Sequence, residues 1–522
     1  MKRRKTVNPI MAVLLGAVWF SLGFPTGASV ASTFYIAPNG MDSNGGTSES
    51  APFKTFFTAF SAMKGGDELV LLDGTYGSGT GYLNYEGTGS AQPPSGISKT
   101  QMTYVHAKNP GSVIINGNLF IGRSTRKDSY IKIEGITFEG SAQLYNTSYL
   151  YIKNCGFHST NQGGGAVFAL GTNDGPTNTY DLVEDCWVWG QERIIAINYR
   201  ADYNVWRRVV VRGDGCGSSS CTTGGAPNVG ITVYDSKNVS MQNVIVVDRI
   251  LGGGNAYADF ATAQHGGASF PLGNAEWIGT ISLNSQDNGY TFEGTDTTGS
   301  MLLKNAVAWN TAWGFNPSSP AFNDLRLENL TAGNSAGGDA FRTYDSPGGY
   351  ARNLIAYNYG RMGINSITPV SYVDVYSSRS STPYNTGGVT PTNMKTSNPL
   401  SDGSTPSLKY ITRIESGSAL KGAGYGGADI GANILFRYGI DGAFYGDAGY
   451  NMLSSTELWP WLNEARIKKE MCTDAGVTRG FCSAQTLTKY IWEYLGNPIP
   501  SEIYGGTPPP APPAAPANLR IR

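Results

Sequence analysis

A short β-rich phrase recurs along the middle of the chain and restricts the folds available to it. The start-to-start spacings of its copies run from 19 to 36 residues, with no helical pattern between them. The copies begin at Gly135, Asn154, Asp185, Arg208, Asn243, Gly279, Asn305, Asn329 and Asn353. Short strands cannot bury an inward face alone, whereas stacked coils share one continuous core. The sequence therefore predicts an all-β fold, a right-handed parallel β-helix, with an N-terminal capping helix and a small C-terminal helical segment.

The phrase also predicts which residues face the core and which form the turns. Residues at the second and fourth positions of each copy, such as Val244 and Val246, should point inward. Five residues after each start comes a small or polar residue, and in the later copies these are Asp248, Asn284, Asn310, Asn334 and Asn358. Asn at equivalent turns predicts a ladder of side-chain amides that bond from coil to coil.

The N-terminus predicts export. A basic stretch, Lys2 to Lys5, precedes an apolar stretch from Ile10 to Phe24 and small residues up to Ala31. This pattern is typical of a secretory signal peptide, and its apolar part is too short to span a bilayer comfortably. We expect residues 1–31 to be removed and the mature protein to be secreted or held at the cell surface, without a membrane span.

Composition narrows the classes of partner. The net charge of −1 argues against a nucleic-acid partner, which would need a basic face, so no nucleic-acid partner is expected. Only 15% of residues are charged, whereas the chain has 69 Gly and 30 Tyr. A polar surface rich in aromatic residues favours contact with sugars, although Tyr is also simply a good strand residue.

The six cysteines are compatible with export, which permits disulfides. Cys472 with Cys482, and Cys216 with Cys221, are predicted to close short local loops. Cys155 and Cys186 occupy the same position of adjacent repeats, so they form either a disulfide or two buried thiols. The three histidines are scattered and there is no Cys-x-x-Cys pair, which disfavours a Cys/His metal site.

Four segments follow from these patterns. Residues 1–31 are the signal peptide, and residues 32–440 are the β-helix with a capping helix that starts near Pro52. Residues 441–504 are a C-terminal helical segment with a disulfide, and residues 505–522 are a Pro-rich tail.

Both ends of the predicted solenoid resemble a known group. Residues 35–47 (Tyr-Ile-Ala-Pro-Asn-Gly-Met-Asp-Ser-Asn-Gly-Gly-Thr), followed by residues 66–76 (Gly-Asp-Glu-Leu-Val-Leu-Leu-Asp-Gly-Thr-Tyr), look like the start of secreted pectate-lyase-like β-helix proteins. Residues 418–424 with residues 428–432 resemble the phrase that closes many of these solenoids. The resemblance implies the architecture far more specifically than any activity.

Charged residues concentrate between Asp248 and Lys304, where the two longest repeat intervals predict protruding loops. Cleavage of an acidic polysaccharide by β-elimination needs a base and a cation that neutralises the sugar carboxylate. The candidate bases are Arg249 and Lys304, and His265 and Tyr290 are the candidate substrate-binding residues. Calcium is the expected cation, since it prefers oxygen ligands. Its candidate ligands are Asp248, Asp259, Glu276, Asp287 and Glu293.

Residues 288–294 (Asn-Gly-Tyr-Thr-Phe-Glu-Gly) resemble the Asn-Gly-Phe-Lys-Leu-Gly-Gly phrase of one pectate lyase family, in which the Lys is the base. Thr291 occupies the matching position here, and no Asp-rich calcium phrase precedes it.

The sequence leaves three functions open. The first is binding of an extracellular acidic polysaccharide with cleavage by β-elimination. The second is a surface or matrix protein that binds glycan without cutting it. The third is a glycoside hydrolase, which would use paired carboxylates on one face. Pectin-hydrolysing enzymes of this architecture carry a Gly-His-Gly phrase and an Arg-Ile-Lys phrase. The first is absent here, and the second, at Arg466-Ile-Lys468, lies outside the repeats.

Overall fold

The structure is a computed structural model that describes residues 31–504, apart from short internal gaps. The gaps are residue 82 and residues 84–91, 123–125, 162–163, 173–176, 214–226, 250–256, 265–271, 295–298, 318–321, 367, 402, 473–477 and 484. The predicted signal peptide up to residue 30, the Cys216–Cys221 loop, His265 and the Pro-rich tail lie outside the described residues.

The repeats form a right-handed parallel β-helix, as predicted. Successive coils place their strands side by side in parallel and in register, so that Leu182 pairs with Val205 and Val205 with Ser240. Two adjacent faces, A and B, together form one 22-stranded sheet, and face C is a 10-stranded sheet. A further sheet of four very short strands precedes face A.

Each face takes one short strand from most coils. Face A consists of β1 (Thr33–Ile36), β2 (Glu68–Leu71), β4 (Thr103–Ala107), β8 (Ile131–Glu134), β12 (Tyr151–Lys153), β16 (Leu182–Glu184), β20 (Val205–Arg207), β23 (Val239–Gln242), β26 (Ala275–Ile278) and β36 (Thr392–Lys395). Face B consists of β3 (Gly74–Tyr76), β5 (Val113–Ile115), β9 (Thr137–Glu139), β13 (Gly156–Ser159), β17 (Trp187–Gly190), β21 (Val210–Gly213), β24 (Ile245–Val247) and β27 (Ile281–Leu283). Four longer strands bend from face A into face B, namely β29 (Ser300–Trp309), β31 (Asp324–Gly333), β33 (Tyr350–Tyr357) and β35 (Val370–Tyr376).

Face C consists of β6 (Leu119–Ile121), β10 (Ala142–Leu144), β14 (Ala166–Gly171), β18 (Ile194–Tyr199), β22 (Val229–Tyr234), β25 (Ala258–Ala263), β28 (Asn288–Phe292), β30 (Trp313–Phe315), β32 (Phe341–Arg342) and β34 (Ile364–Asn365). The four-stranded sheet consists of β7 (Asp128–Ser129), β11 (Thr147–Ser148), β15 (Asn178–Thr179) and β19 (Ala201–Asp202).

The asparagines of the repeat make the turns between faces. At the bend from face A to face B, Asn243, Asn305 and Asn353 have φ angles of 51°, 49° and 60°. This left-handed conformation is costly for most residues and is tolerated by Asn, whose short polar side chain bonds locally.

The turn after face B carries the predicted amide ladder. Asn284 Nδ2 donates to Asp248 Oδ1 over 2.7 Å, and Asn310 Nδ2 donates to Asn284 Oδ1 over 2.8 Å. Asn358 Nδ2 donates to Asn334 Oδ1 over 2.8 Å.

The core lies inside the coils. The predicted inward positions are fully buried, namely Cys155, Phe157, Val209, Val211, Val244, Val246, Leu330 and Leu354. Helix α1 (Phe56–Ala62) covers the N-terminal end, as predicted, and buries Phe56, Ala59 and Phe60. The hydroxyl of its N-cap residue Thr55 accepts the Thr58 N–H.

After β36 the chain leaves the coils and runs back along the outside of the stack. We call residues 408–504 the return segment. It contains an antiparallel hairpin of β37 (Phe436–Tyr438) and β38 (Leu453–Glu457), followed by helices α2 (Glu464–Met471) and α3 (Leu487–Trp492). The predicted boundary between residues 440 and 441 falls inside this segment, because the excursion begins well before the first C-terminal helix.

The return segment covers the outer side of face B, which is apolar. Trp187, Trp189 and Trp309 point outward there and pack in one cluster with Trp459 and Trp492 of the return segment. A disulfide joins Cys472 to Cys482, as predicted, whereas Cys155 and Cys186 are free buried thiols. No helix in the described part of the chain has the length and apolar character needed to cross a membrane.

Candidate functional site

A polar cleft follows the turn between faces B and C, and we call it the turn cleft. Its volume is about 340 Å³. The polar residues that line it come from three successive coils, and they are Asn284, Ser285, Gln286, Asn310, Thr311 and Asn334. Ala312, Ala336 and Gly337 complete the lining, so the cleft has hydrogen-bonding side chains and no charged one.

Tyrosines of the return segment stand beside the cleft floor. The Tyr490 hydroxyl donates to Asp248 Oδ1 over 2.8 Å, at the end of the amide ladder that continues through Asn284 into the cleft. Burial raises the pKa of Tyr494 to about 12, and a hydrogen bond with the Asn310 side chain opposes that rise. The partly exposed Tyr494 ring therefore lies against one rung of the cleft floor.

An aromatic residue also lies on the face C side. Trp313 directly follows Ala312 of the cleft lining and is partly exposed. The Arg361 guanidinium carbon lies 5.0 Å from the Trp313 ring centroid, and Arg361 Nε donates to Asp339 over 2.7 Å. A Cβ at Gly338 would lie 2.1 Å from the Trp313 ring, so only glycine admits the ring at this position.

Under the cleft lies a buried ionic corner. Arg249 Nε donates to Asp259 Oδ1 over 2.6 Å, and neither side chain is exposed. The hydroxyls of Ser282 and Ser285 each donate to Asp259 Oδ2 over 2.6 Å. Burial raises the pKa of Asp259, opposed by Arg249 and these hydroxyls. Ser285 belongs both to this corner and to the cleft lining, so it connects the two.

Asp287 belongs to the same corner. Burial raises its pKa, the charge of Arg249 lowers it, and the charge of Asp259 raises it further. The Asp287 carbonyl accepts the Ala312 N–H over 3.0 Å, at the cleft edge. The structure therefore brings together three residues of the predicted site, Arg249, Asp259 and Asp287. Asp248 is connected to the cleft lining through its hydrogen bond with Asn284.

The other predicted site residues lie elsewhere. Glu276 is on the outer side of face A, where it accepts hydrogen bonds from Ser240 (2.8 Å) and Asn451 (2.9 Å). Lys304 is also on face A, with Nζ 3.5 Å from Glu328. Glu293 follows β28, and its N–H donates to the Thr262 carbonyl over 3.0 Å.

Tyr290 requires a correction of the predicted role in substrate binding. It is fully buried in an aromatic stack between Phe260 and Phe315, with ring centroids 4.7 and 4.6 Å away. Its hydroxyl donates to Thr280 over 2.9 Å. The pleat of β28 turns this side chain inward, so Tyr290 belongs to the core.

The predicted calcium ligands do not fit one ion, because they are divided among the corner, face A and the end of β28. Carboxylate oxygens of a different group, Glu184, Asp185 and Asp441, all lie within 4.8 Å of one another. That group is already neutralised by Arg207, Arg208 and Lys153. Although burial raises the pKa of Glu184, Arg208 and Arg207 bring it down to about 2. Three cations thus balance three carboxylates, whose oxygens lie close enough together that this group could hold a metal ion.

The sequence did not reveal the turn cleft or this ion-pair group. The cleft lining is brought together from three successive coils, and the ion-pair group includes Asp441 of the return segment, which is separated from Arg208 by 233 residues along the chain. The Asn repeat was the one available signal for the cleft floor.

Comparisons with known proteins give structural likenesses only. No family model matches the chain, and neither does any curated protein. Among solved structures, pectate lyase Pel9A is similar with a TM-score of 0.44 and 17% identity, over 78% of this chain and 96% of that one. XylC in a complex with xylose follows with a TM-score of 0.41 and 8% identity, over 63% and 76% of the two chains. The A-module of the Azotobacter vinelandii mannuronan C-5 epimerase AlgE6 has a TM-score of 0.39 and 10% identity, over 64% and 92%. At these scores and identities the likenesses carry no argument about substrate or mechanism.

Proposed function

We propose that this protein is an extracellular β-helix that binds a polysaccharide, with sugar residues seated in the turn cleft. The observation that carries the proposal is the cleft itself: about 340 Å³, lined by uncharged hydrogen-bonding side chains from three successive coils. Amides and hydroxyls both donate and accept, as sugar hydroxyls do. A chain of sugars lying along the stack would meet similar groups at each coil.

The aromatic residues beside the cleft support a sugar ligand. Binding sites for small molecules combine aromatic surface with a few well-placed polar groups. On one side of the cleft, Tyr494 lies against Asn310. On the other side, the Trp313 ring is packed between the Arg361 guanidinium and Gly338. The C–H faces of a sugar ring pack well on such rings.

An extracellular location is supported by the Cys472–Cys482 disulfide, since disulfides persist in oxidising compartments. The predicted signal peptide in residues 1–31 points the same way.

Cleavage by β-elimination is the second candidate, favoured by one arginine and two acids that meet at the corner under the cleft. A base must reach the substrate, however. Arg249 is fully buried, and its Nε donates to Asp259 Oδ1 over 2.6 Å. The corner therefore fits a role in fixing Ser285 at the cleft edge better than proton abstraction, and binding is the function that we propose.

The test is a binding screen with purified protein against a panel of neutral and uronic-acid polysaccharides, by affinity electrophoresis and calorimetry. Gln286→Ala, in the cleft lining, and Tyr494→Leu, beside it, should each weaken binding about tenfold, the effect of losing one good contact. Gln143→Ala removes an exposed glutamine from the outer side of β10 and should bind like the wild type.

Two outcomes would contradict the proposal. One is the absence of binding to any member of the panel. The other is binding that is unchanged in both cleft variants. Ultraviolet absorbance is followed in the same samples, because new unsaturated sugar ends would show β-elimination and would restore the lyase as the leading function.

A further inference from the structure

We infer that a second glycan site, selective for anionic sugars, lies on the outer side of face A near the C-terminal end of the stack. A cleft of about 300 Å³ opens there, and we call it the arginine cleft. Its lining includes Tyr350, Arg352, Ser371, Thr390, Thr392 and Tyr425. The inference does not rest on the turn cleft, which lies between the other two faces.

Arg352 is held in place before any ligand arrives. Its guanidinium carbon lies 4.4 Å from the ring centroids of both Tyr350 and Tyr425. Nη2 donates to Glu328 Oε1 over 2.6 Å, and the Tyr350 hydroxyl donates to the same oxygen over 2.5 Å. Stacking and hydrogen bonding together fix the orientation of the planar head.

Arg352 still has N–H groups that can donate hydrogen bonds to a ligand. Its side chain is 26% exposed, and among the described residues only its Nη2 donates a hydrogen bond to the protein. Nε and Nη1 are thus open to an incoming group. A planar carboxylate matches two guanidinium N–H groups at once, which makes arginine a selective anchor for it.

The charges around the cleft favour an anion. Lys304, Glu328 and Arg352 occupy paired positions of successive coils on face A. Lys304 Nζ lies 3.5 Å from Glu328, and Arg326 pairs with Asp324 in the neighbouring row. Three cations therefore face two carboxylates, with a net charge of +1. Lys304 is 42% exposed, so its charge is available to a ligand that spans more than one coil.

The rest of the lining suits a sugar ring. Tyr425 is 52% exposed and presents its ring at the cleft, braced edge-on by Tyr372 at 5.8 Å. The hydroxyls of Ser371, Thr390 and Thr392 supply hydrogen bonds. An aromatic platform, hydroxyls and a fixed arginine together fit a sugar that carries a carboxylate or a sulfate.

The experiment measures binding of three probes by calorimetry at two salt concentrations: polygalacturonate, its carboxyl-reduced uncharged form, and dextran sulfate. We expect Arg352→Gln to weaken polygalacturonate binding about tenfold and to flatten its salt dependence, because one charge-assisted contact is lost. Binding of the carboxyl-reduced polymer should not change. Tyr425→Ala should weaken polygalacturonate binding without altering the salt dependence.

Arg342→Gln is the matched control, because Arg342 also stacks on a tyrosine, with its guanidinium carbon 5.2 Å from the Tyr344 ring centroid, but lies outside the cleft lining. A loss confined to dextran sulfate assigns the site to sulfated sugars, and a loss confined to polygalacturonate assigns it to uronates. Equal binding of anionic probes by Arg352→Gln and Arg342→Gln overturns the inference.

Gln286→Ala separates this inference from the proposed function. If Gln286→Ala loses binding of neutral polymers while Arg352→Gln binds every probe normally, the turn cleft is supported as a binding site and the arginine cleft is not. If Gln286→Ala binds neutral polymers normally while Arg352→Gln loses binding of an anionic probe, the proposal for the turn cleft alone is overturned.

Discussion

At the scale of single residues, the interior of the coils decides which ionisation state a side chain prefers. Asp181 is 1% exposed and accepts hydrogen bonds from the Thr147 hydroxyl (2.6 Å) and the Leu150 N–H (2.8 Å). Burial nevertheless raises its pKa to about 6, since these bonds compensate only part of the lost hydration.

This shift predicts a pH dependence of stability. As the pH rises past about 4, Asp181 loses its proton in the unfolded chain while the folded protein retains it until about pH 6. The free energy of unfolding contributed by this group should therefore fall by about 3 kcal/mol over that interval and stay level above it. Urea denaturation of the wild type and of Asp181→Asn from pH 4 to pH 7 measures the difference. Parallel stability curves for the two proteins would show that Asp181 ionises normally.

Single residues also show how far the sequence could be interpreted. The inward direction of Val246 and Leu330 followed from the repeat, because the alternation of a strand is local. The direction of Tyr290 and the separation of Glu276 from Asp259 did not follow, because they depend on the face that each strand joins. The turn cleft was still less predictable, since its lining joins side chains from three separate coils.

At the scale of elements, the turns hold successive coils in register. Asn334 combines two properties: a φ of 55° and an amide oxygen that accepts the Asn358 Nδ2–H over 2.8 Å. The first property sets the bend, and the second links it to the next coil.

Two substitutions at Asn334 separate these properties. Asn334→Ala should lower the free energy of unfolding by about 1–3 kcal/mol, because the partly buried Asn358 amide loses its acceptor and alanine disfavours the positive φ at position 334. Asn334→Gly also removes the amide but tolerates the positive φ, so it should be more stable than the alanine variant by about 1 kcal/mol. Thermal and urea denaturation give both values. Wild-type stability in the glycine variant would mean that the amide ladder contributes nothing.

At the scale of the whole molecule, the return segment ties distant coils together. Its backbone N–H groups at Tyr425, Asn433 and Tyr438 donate to the side-chain oxygens of Asn353, Asn305 and Asn243. Farther along, the buried Arg207 donates to the carbonyls of Ile440, Ala443 and Tyr450 and to Glu184. The segment thus runs against the order of the coils.

Arg207→Ala should cost about 3–5 kcal/mol, because Glu184 loses a buried partner and three carbonyls lose their donor. Amide hydrogen exchange should speed up over residues 440–450 before it does so in the coils. Arg326→Ala, which breaks an exposed pair with Asp324, should cost less than about 1 kcal/mol. Unchanged exchange over residues 440–450 in Arg207→Ala would contradict the anchoring role.

The route of the return segment has a consequence for the order of synthesis. A solenoid of nearest-neighbour contacts can in principle fold coil by coil as it leaves the ribosome. Here the outward tryptophans of face B, Trp187, Trp189 and Trp309, stay uncovered until Trp459 and Trp492 have been made. The nascent protein therefore passes through a stage with finished coils and an exposed apolar flank, and this stage ends once the return segment has been synthesised and covers the flank.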